Sequence, residues 1–210
     1  MLTLHTAPLL LPVGAPPVAD GAVLLDGDRI AALGPYEELA AAHPAARVRR
    51  WPGVLTPGLC QPHARQLLTR AYHPDPREAD LLGTEPITGE ALERLRLDEA
   101  RWAGSVRRGL QRMLAHGVTA LTGPFPQWVR PAVARSGLAV LPAPSALADR
   151  PPHLDPFAGG LAAAAHGPLR EAGRADLAAF DVPDETALVE RGAGACVATV
   201  LAGRLVYRRR

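Results

Sequence analysis

Strand-like runs stand at both ends of this chain, and a strand–helix–strand rhythm stands between them. That order constrains the fold more than any single motif. Near the N-terminus, apolar runs at 22–25 and 30–33 flank Asp26-Gly27-Asp28-Arg29, and the Asp-Gly step signals a tight hairpin turn. Pro35 opens a short helix predicted over 36–43, Pro44 ends it, and a strand follows over 48–55. Residues 61–88 read as a proline-rich loop with one helical turn at 64–70. Over 89–116, Leu92, Leu95, Ala103, Val106, Leu110, Met113 and Leu114 recur at three- and four-residue steps. One long amphipathic helix is predicted there, stopped by Gly117. A strand over 118–122, a helix over 127–135 with Gly137 as its stop, and a strand over 138–141 continue the α/β rhythm. An irregular Pro/Ala/Gly-rich stretch covers 142–168, and strands return at 175–180, 195–201 and 204–207. The predicted class is α/β, with residues 1–60 and 167–210 pairing into one small β-sandwich module and 61–166 inserted as an α/β region.

Composition narrows the function classes. With 48% apolar and 21% charged residues over 210 positions, the chain is neither disordered, collagen-like nor membrane-spanning in character. A net charge of +2, from 23 basic and 21 acidic residues, gives no electrostatic reason to expect nucleic acid or an anionic membrane as partner. The chain has no lysine, which excludes Schiff-base, carbamylated-lysine and P-loop chemistry. Cys60 and Cys196 fit no metal or redox spacing and are expected reduced and buried. The stretch 1–13 lacks an early positive charge and is broken by Pro8 and Pro12, so it does not read as a secretory leader. No run approaches the roughly 18 apolar residues of a membrane helix, and the cytoplasm is the expected location.

Four segments carry a family resemblance. The hairpin Gly21-Ala-Val-Leu-Leu-Asp-Gly-Asp-Arg-Ile-Ala-Ala-Leu-Gly34, the stretch Val54-Leu-Thr-Pro-Gly-Leu-Cys-Gln-Pro-His-Ala-Arg65 and the helix-to-strand join Leu114-Ala-His-Gly-Val-Thr-Ala-Leu121 come in order. The fourth is the closing pair, Gly173-Arg-Ala-Asp-Leu-Ala-Ala-Phe-Asp181 with Val197-Ala-Thr-Val-Leu-Ala-Gly-Arg-Leu-Val-Tyr207. Together they resemble the amidohydrolase superfamily, and within it the imidazolonepropionase and aminodeoxyfutalosine deaminase branches. The resemblance implies a composite β-sandwich carrying a barrel in which a divalent metal such as zinc activates water to break or deaminate C–N bonds. Such a metal lowers the pKa of its water to about 7, and a neighbouring carboxylate or histidine moves the protons.

Carried over residue by residue, the resemblance puts His63 at the first position of a His-x-His metal pair and Arg65 at the second. A guanidinium has no lone pair to give a metal. An eight-unit barrel takes ~250 residues. The insert has room for three or four βαβ units of ~30 residues each. A truncated, TIM-barrel-like region without counterparts of the later ligand-bearing strands is therefore expected.

A remodelled metal site could join His63 to His73, His116, His153 or Asp155, although their spacing follows no metal template. The plainer expectation is a strand-end histidine at 63, a helix-terminus histidine at 116 and turn chemistry at Asp155. Glu90, Glu93, Asp98 and Glu99 alternate with Arg94, Arg96 and Arg101, as on a solvated helix face. Ser105, Ser136 and Ser145 lie in no Gly-x-Ser-x-Gly context, Asp176 and Asp181 fall in the β module, and Arg208 to Arg210 read as a solubilising tail. Two readings follow. One is a degenerate imidazolonepropionase-like protein in a binding or accessory role, with no metal. The other is an active metal-dependent hydrolase or deaminase of non-peptide C–N bonds, with a small-molecule substrate. Open sheet edges on half a barrel predict self-association or a protein partner.

Overall fold

The structure, a computed structural model, describes residues 1–142 and 152–209. The chain opens with strands β1 (Leu2–Thr6), β2 (Leu9–Leu10), β3 (Val18–Ala19), β4 (Gly21–Asp26) and β5 (Arg29–Pro35). Helix α1 (Tyr36–Ala42) leads to β6 (Arg47–Arg50), β7 (Val54–Pro57) and β8 (Leu59–Gln61). Then come α2 (Ala64–Thr69), α3 (Ala79–Leu82), α4 (Gly89–Glu93), α5 (Glu99–Ala115), β9 (Val118–Gly123), α6 (Arg130–Ser136) and β10 (Ala139–Pro142). The remaining elements are α7 (Leu161–Ala164), β11 (Leu177–Phe180), α8 (Glu185–Arg191), β12 (Cys196–Leu201) and β13 (Arg204–Arg208). The chain is thus mixed α/β. Among the described residues no helix is long and apolar enough to cross a membrane. Ser145 and Arg210, with most of the stretch read as irregular before 152, lie outside the described residues.

Two compact units are present: 1–60 with 114–120 and the described residues of 155–210, and 61–113 with the described residues of 121–154. The first unit holds a four-stranded sheet in the order β5-β4-β1-β6 and a six-stranded sheet in the order β13-β12-β11-β7-β2-β3. The two ends of the chain share the larger sheet, because β11 pairs antiparallel with β7, Leu177 opposite Pro57 and Phe180 opposite Val54. Period-two alternation explains the unbroken apolar run of β4. Val23 and Leu25 pack in one core with Leu10, Leu55, Leu177 and Val200, while Ala22, Leu24 and Leu4 pack against Tyr36, Leu39 and Ala40. Both faces of that strand are buried, so it has no polar face to show.

The strand expected over 48–55 is two strands in two sheets. Trp51-Pro52-Gly53 parts them: β6 runs parallel to β1, and β7 joins β11 and β2. Gly53 sits at φ 63°, and a Cβ there would run into the carbonyls of Phe180 and Val182, so only glycine makes this step.

In the second unit, the long helix expected over 89–116 is two helices. The Asp98 carboxylate accepts the Arg101 N–H at 2.7 Å and starts α5 as an N-cap. The apolar periodicity ran through the break, and the cap residue inside it was the contrary signal. Glu90 of α4 and Arg94 just past its end make an exposed i,i+4 pair at 3.3 Å, as a solvated face should. Arg101 turns elsewhere, to Glu78 at 2.6 Å. Gly137 ends α6 in the left-handed conformation at φ 74°. A third sheet has the order β10-β9-β8.

Candidate functional site

Residues just past the end of β8 carry the candidate site. Pro62 cannot continue a ladder, and the chain turns there into α2. Gln61 is fully buried. Its Oε1 accepts the His63 backbone N–H at 3.0 Å, and its Nε2 donates to the Leu154 carbonyl at 2.8 Å. Thr122, near the end of β9, donates its hydroxyl to the Pro62 carbonyl at 2.7 Å. His63 is buried, and its carbonyl accepts the Leu67 N–H at 2.9 Å to begin α2. Arg65 lies in the first turn of α2 and is exposed. Gln61 is therefore the residue that orders this turn, and the sequence reading passed over it. A buried glutamine between a strand and a proline was the available signal.

His73 also lies in the second unit and is buried for structural reasons. Its Nε2 meets the Leu67 carbonyl at 2.9 Å, and its backbone N–H donates to Ser105 Oγ at 2.9 Å. Gly109 makes room for the ring, since a Cβ there would come 2.8 Å from Nε2. Burial pulls the His73 pKa down to about 4. Beside it, Tyr72 lies under Arg101 and Arg108, whose guanidinium carbons are 5.2 and 5.7 Å from the ring centroid. Glu78 accepts the Tyr72 hydroxyl at 2.6 Å, which with the Asp75 N–H and Arg101 holds its carboxyl down to about 2. Arg108 reaches Asp75 at 3.2 Å. A cleft of about 480 Å³ opens over these residues. Arg101 and Arg108 are already matched to carboxylates, so neither is left over for a ligand.

His116 and Asp155 belong to the first unit. His116 is partly buried in the turn after α5. Asp155 does more than turn chemistry: Oδ1 accepts the Phe157 N–H at 2.9 Å and Oδ2 the Ala193 N–H at 3.1 Å, tying two distant loops. His153 is exposed. Ser136 caps the end of α6 through the Val133 carbonyl at 2.6 Å. Another histidine that no motif marked, His5, is buried and accepts the Trp51 indole N–H at 3.1 Å on Nδ1. Burial, and then Arg49, lower its pKa to about 4. Both thiols are free; Cys196 is buried as expected, but Cys60 is only partly so. Burial raises each to about 11, so both stay protonated at neutral pH.

Among the described residues, no three His, Cys, Asp or Glu side chains stand close enough to share a metal ion. A hydrolytic zinc site takes three protein ligands and leaves a position for water. The donors among the described residues do not meet that need.

Mixed α/β architecture with a histidine past a strand end is the class this geometry defines. Residues 21–46, the β4–β5 hairpin and the helix after it, match the imidazolonepropionase-like composite domain of bacteria. The resemblance read from the hairpin is thereby shown for that segment. Among solved structures the chain is similar to A. niger ochratoxinase, at 21% identity over 67% of this chain and 31% of that one, with a TM-score of 0.45. It is similar to guanine deaminase from Bradyrhizobium japonicum at 18% identity, over 67% and 34% of the two chains, with a TM-score of 0.45. For the E. coli guanine deaminase the figures are 15% identity, 67% and 36%, and a TM-score of 0.47. The chain spans about a third of the length of these structures. No curated protein sequence matches it.

Proposed function

We propose that this chain is an amidohydrolase-like protein of the imidazolonepropionase-like kind that works by binding, as an accessory, and carries out no metal-dependent turnover. One observation carries the reading. Arg65 stands where the second ligand of the His-x-His pair belongs, and His63 finds no two further donors among the described residues. The region around α2 to β10 is read as part of a barrel-like α/β unit inserted in the sequence of a composite sandwich. The matched hairpin supports the sandwich. The helices that alternate with β8, β9 and β10 support the barrel-like part. Two separate free thiols support a reducing compartment, the cytoplasm.

Metal content per chain, measured by elemental mass spectrometry on untagged protein purified without chelator, tests the reading. Metal well below one equivalent and unchanged in His63→Ala is the expected result. One equivalent of zinc, iron or manganese, lost in that variant, would overturn it. A hydrolase or deaminase of non-peptide C–N bonds would then stand in its place, and cyclic amides and aminated purines would be the substrates to try. One observation favours that second reading: His63 is buried past the strand end with Gln61 bonded to its backbone.

A further inference from the structure

The open edge of the four-stranded sheet carries a cluster of arginines. Strand β6 pairs with β1 alone and closes the sheet order on that side. Its register, Thr3 opposite Arg47 and His5 opposite Arg49, puts Arg47 and Arg49 on the His5 face. Arg50 points the other way, to the Tyr36 hydroxyl at 2.7 Å. On the His5 face, Trp51 stacks on His5 with ring centroids 5.9 Å apart. Arg208, from β13 at the edge of the other sheet, holds its guanidinium carbon 5.9 Å from the Trp51 ring. Three guanidiniums thus gather from strands far apart in sequence. Partial burial and then Arg47 and Arg208 weaken the hold of Arg49 on its proton, as close like charges must. Among the described residues no carboxylate pairs with any of the three.

We infer that an extended acidic protein segment adds to the outer edge of β6, its alternate carboxylates reaching Arg47 and Arg49 with Arg208 beside them. Arg47 and Arg49 are two residues apart and so stand about 7 Å from each other along one face. That spacing matches carboxylates at every second position of an added strand, and the free strand edge supplies the backbone pairing. Arg47 and Arg208 are exposed, Arg49 partly so, and Val48 is 41% exposed on the opposite face. The inference names a partner for the accessory reading and rests on it for its purpose. Metal analysis decides that reading, and peptide binding decides this one.

The probe is a fluorescein-labelled octapeptide of alternating Glu and Val, followed by anisotropy at low and moderate salt. Saturable binding is expected, weakened at least tenfold in the double variant R47Q/R208Q with an unchanged thermal transition. A peptide of equal charge with its valines replaced by proline is expected not to bind, because it cannot pair as a strand. A Lys–Val peptide serves as a control that needs no variant to fold, and it too is expected not to bind. Absence of binding by the Glu–Val peptide would leave the arginines as guards of an exposed edge and overturn the inference. So would equal binding of the proline or lysine peptide. Competition by pyrophosphate or by a single-stranded oligonucleotide at a lower concentration than the peptide would reassign the cluster to small oxyanions or nucleic acid.

Discussion

Two buried histidines make this protein sensitive to mild acid. His5 and His73 each have a folded pKa near 4, against an ordinary value of 6.5, and burial is the first cause for both. Their unfolded forms take up protons below pH 6.5 while the folded forms stay neutral. The stability they leave intact is therefore full above pH 6.5 and is lost as the pH falls toward 4. The slope is on the order of 1 kcal/mol per pH unit for each histidine. Urea midpoints measured from pH 8 to pH 4 should fall through that window. The fall should be shallower in His5→Gln, whose amide can still accept from Trp51. An equal slope in that variant would mean that His5 is not the titrating group.

Single residues also decided which elements could be read from the sequence. Asp26-Gly27 announced the β4–β5 hairpin, and Gly137 announced the end of α6, because each is a local signal that packing has no reason to override. The joint between β6 and β7 was hidden. Val48 to Leu55 reads as one strand until the chain crosses between sheets at Gly53, a fact of tertiary structure. The division between α4 and α5 was legible in principle, since Asp98 is a good N-cap, but the apolar spacing spoke louder. Asp98→Ala should cost about 1 kcal/mol by removing the cap of α5. A change in the chemical denaturation midpoint with an unchanged slope is the check, and no change would mean that α5 starts without help. The candidate site was legible only in part. His63 and Arg65 could be placed by resemblance, but Gln61, which holds the turn, carries no motif and shows itself only through burial.

At the scale of the whole molecule, the larger sheet depends on both ends of the chain. Val200 and Ala198 of β12 share a core with Leu55 of β7 and Val23 of β4. Removing residues 196–209 takes away two strands of six and bares the β11 edge, with Leu177 and Ala179 left short of packing partners. That deletion should abolish the cooperative thermal transition of the first unit and lower the soluble yield. A sharp melt within a few degrees of the parent would mean that the N-terminal strands hold together without their distant partners.

Thr56 lies opposite Ala178, 122 residues away, where β7 pairs with β11. On a ribosome, β7 would be outside the exit tunnel long before β11 was made. For seconds, at ordinary elongation rates of ~5–20 residues per second, its inner edge would stand bare. The strand that carries Val54 and Leu55 would spend that interval as an adhesive surface in a crowded cell. Rare codons placed between the two strands would lengthen the exposure. The yield of soluble protein should then depend on the pace of translation across the middle of the gene as well as on the finished sequence.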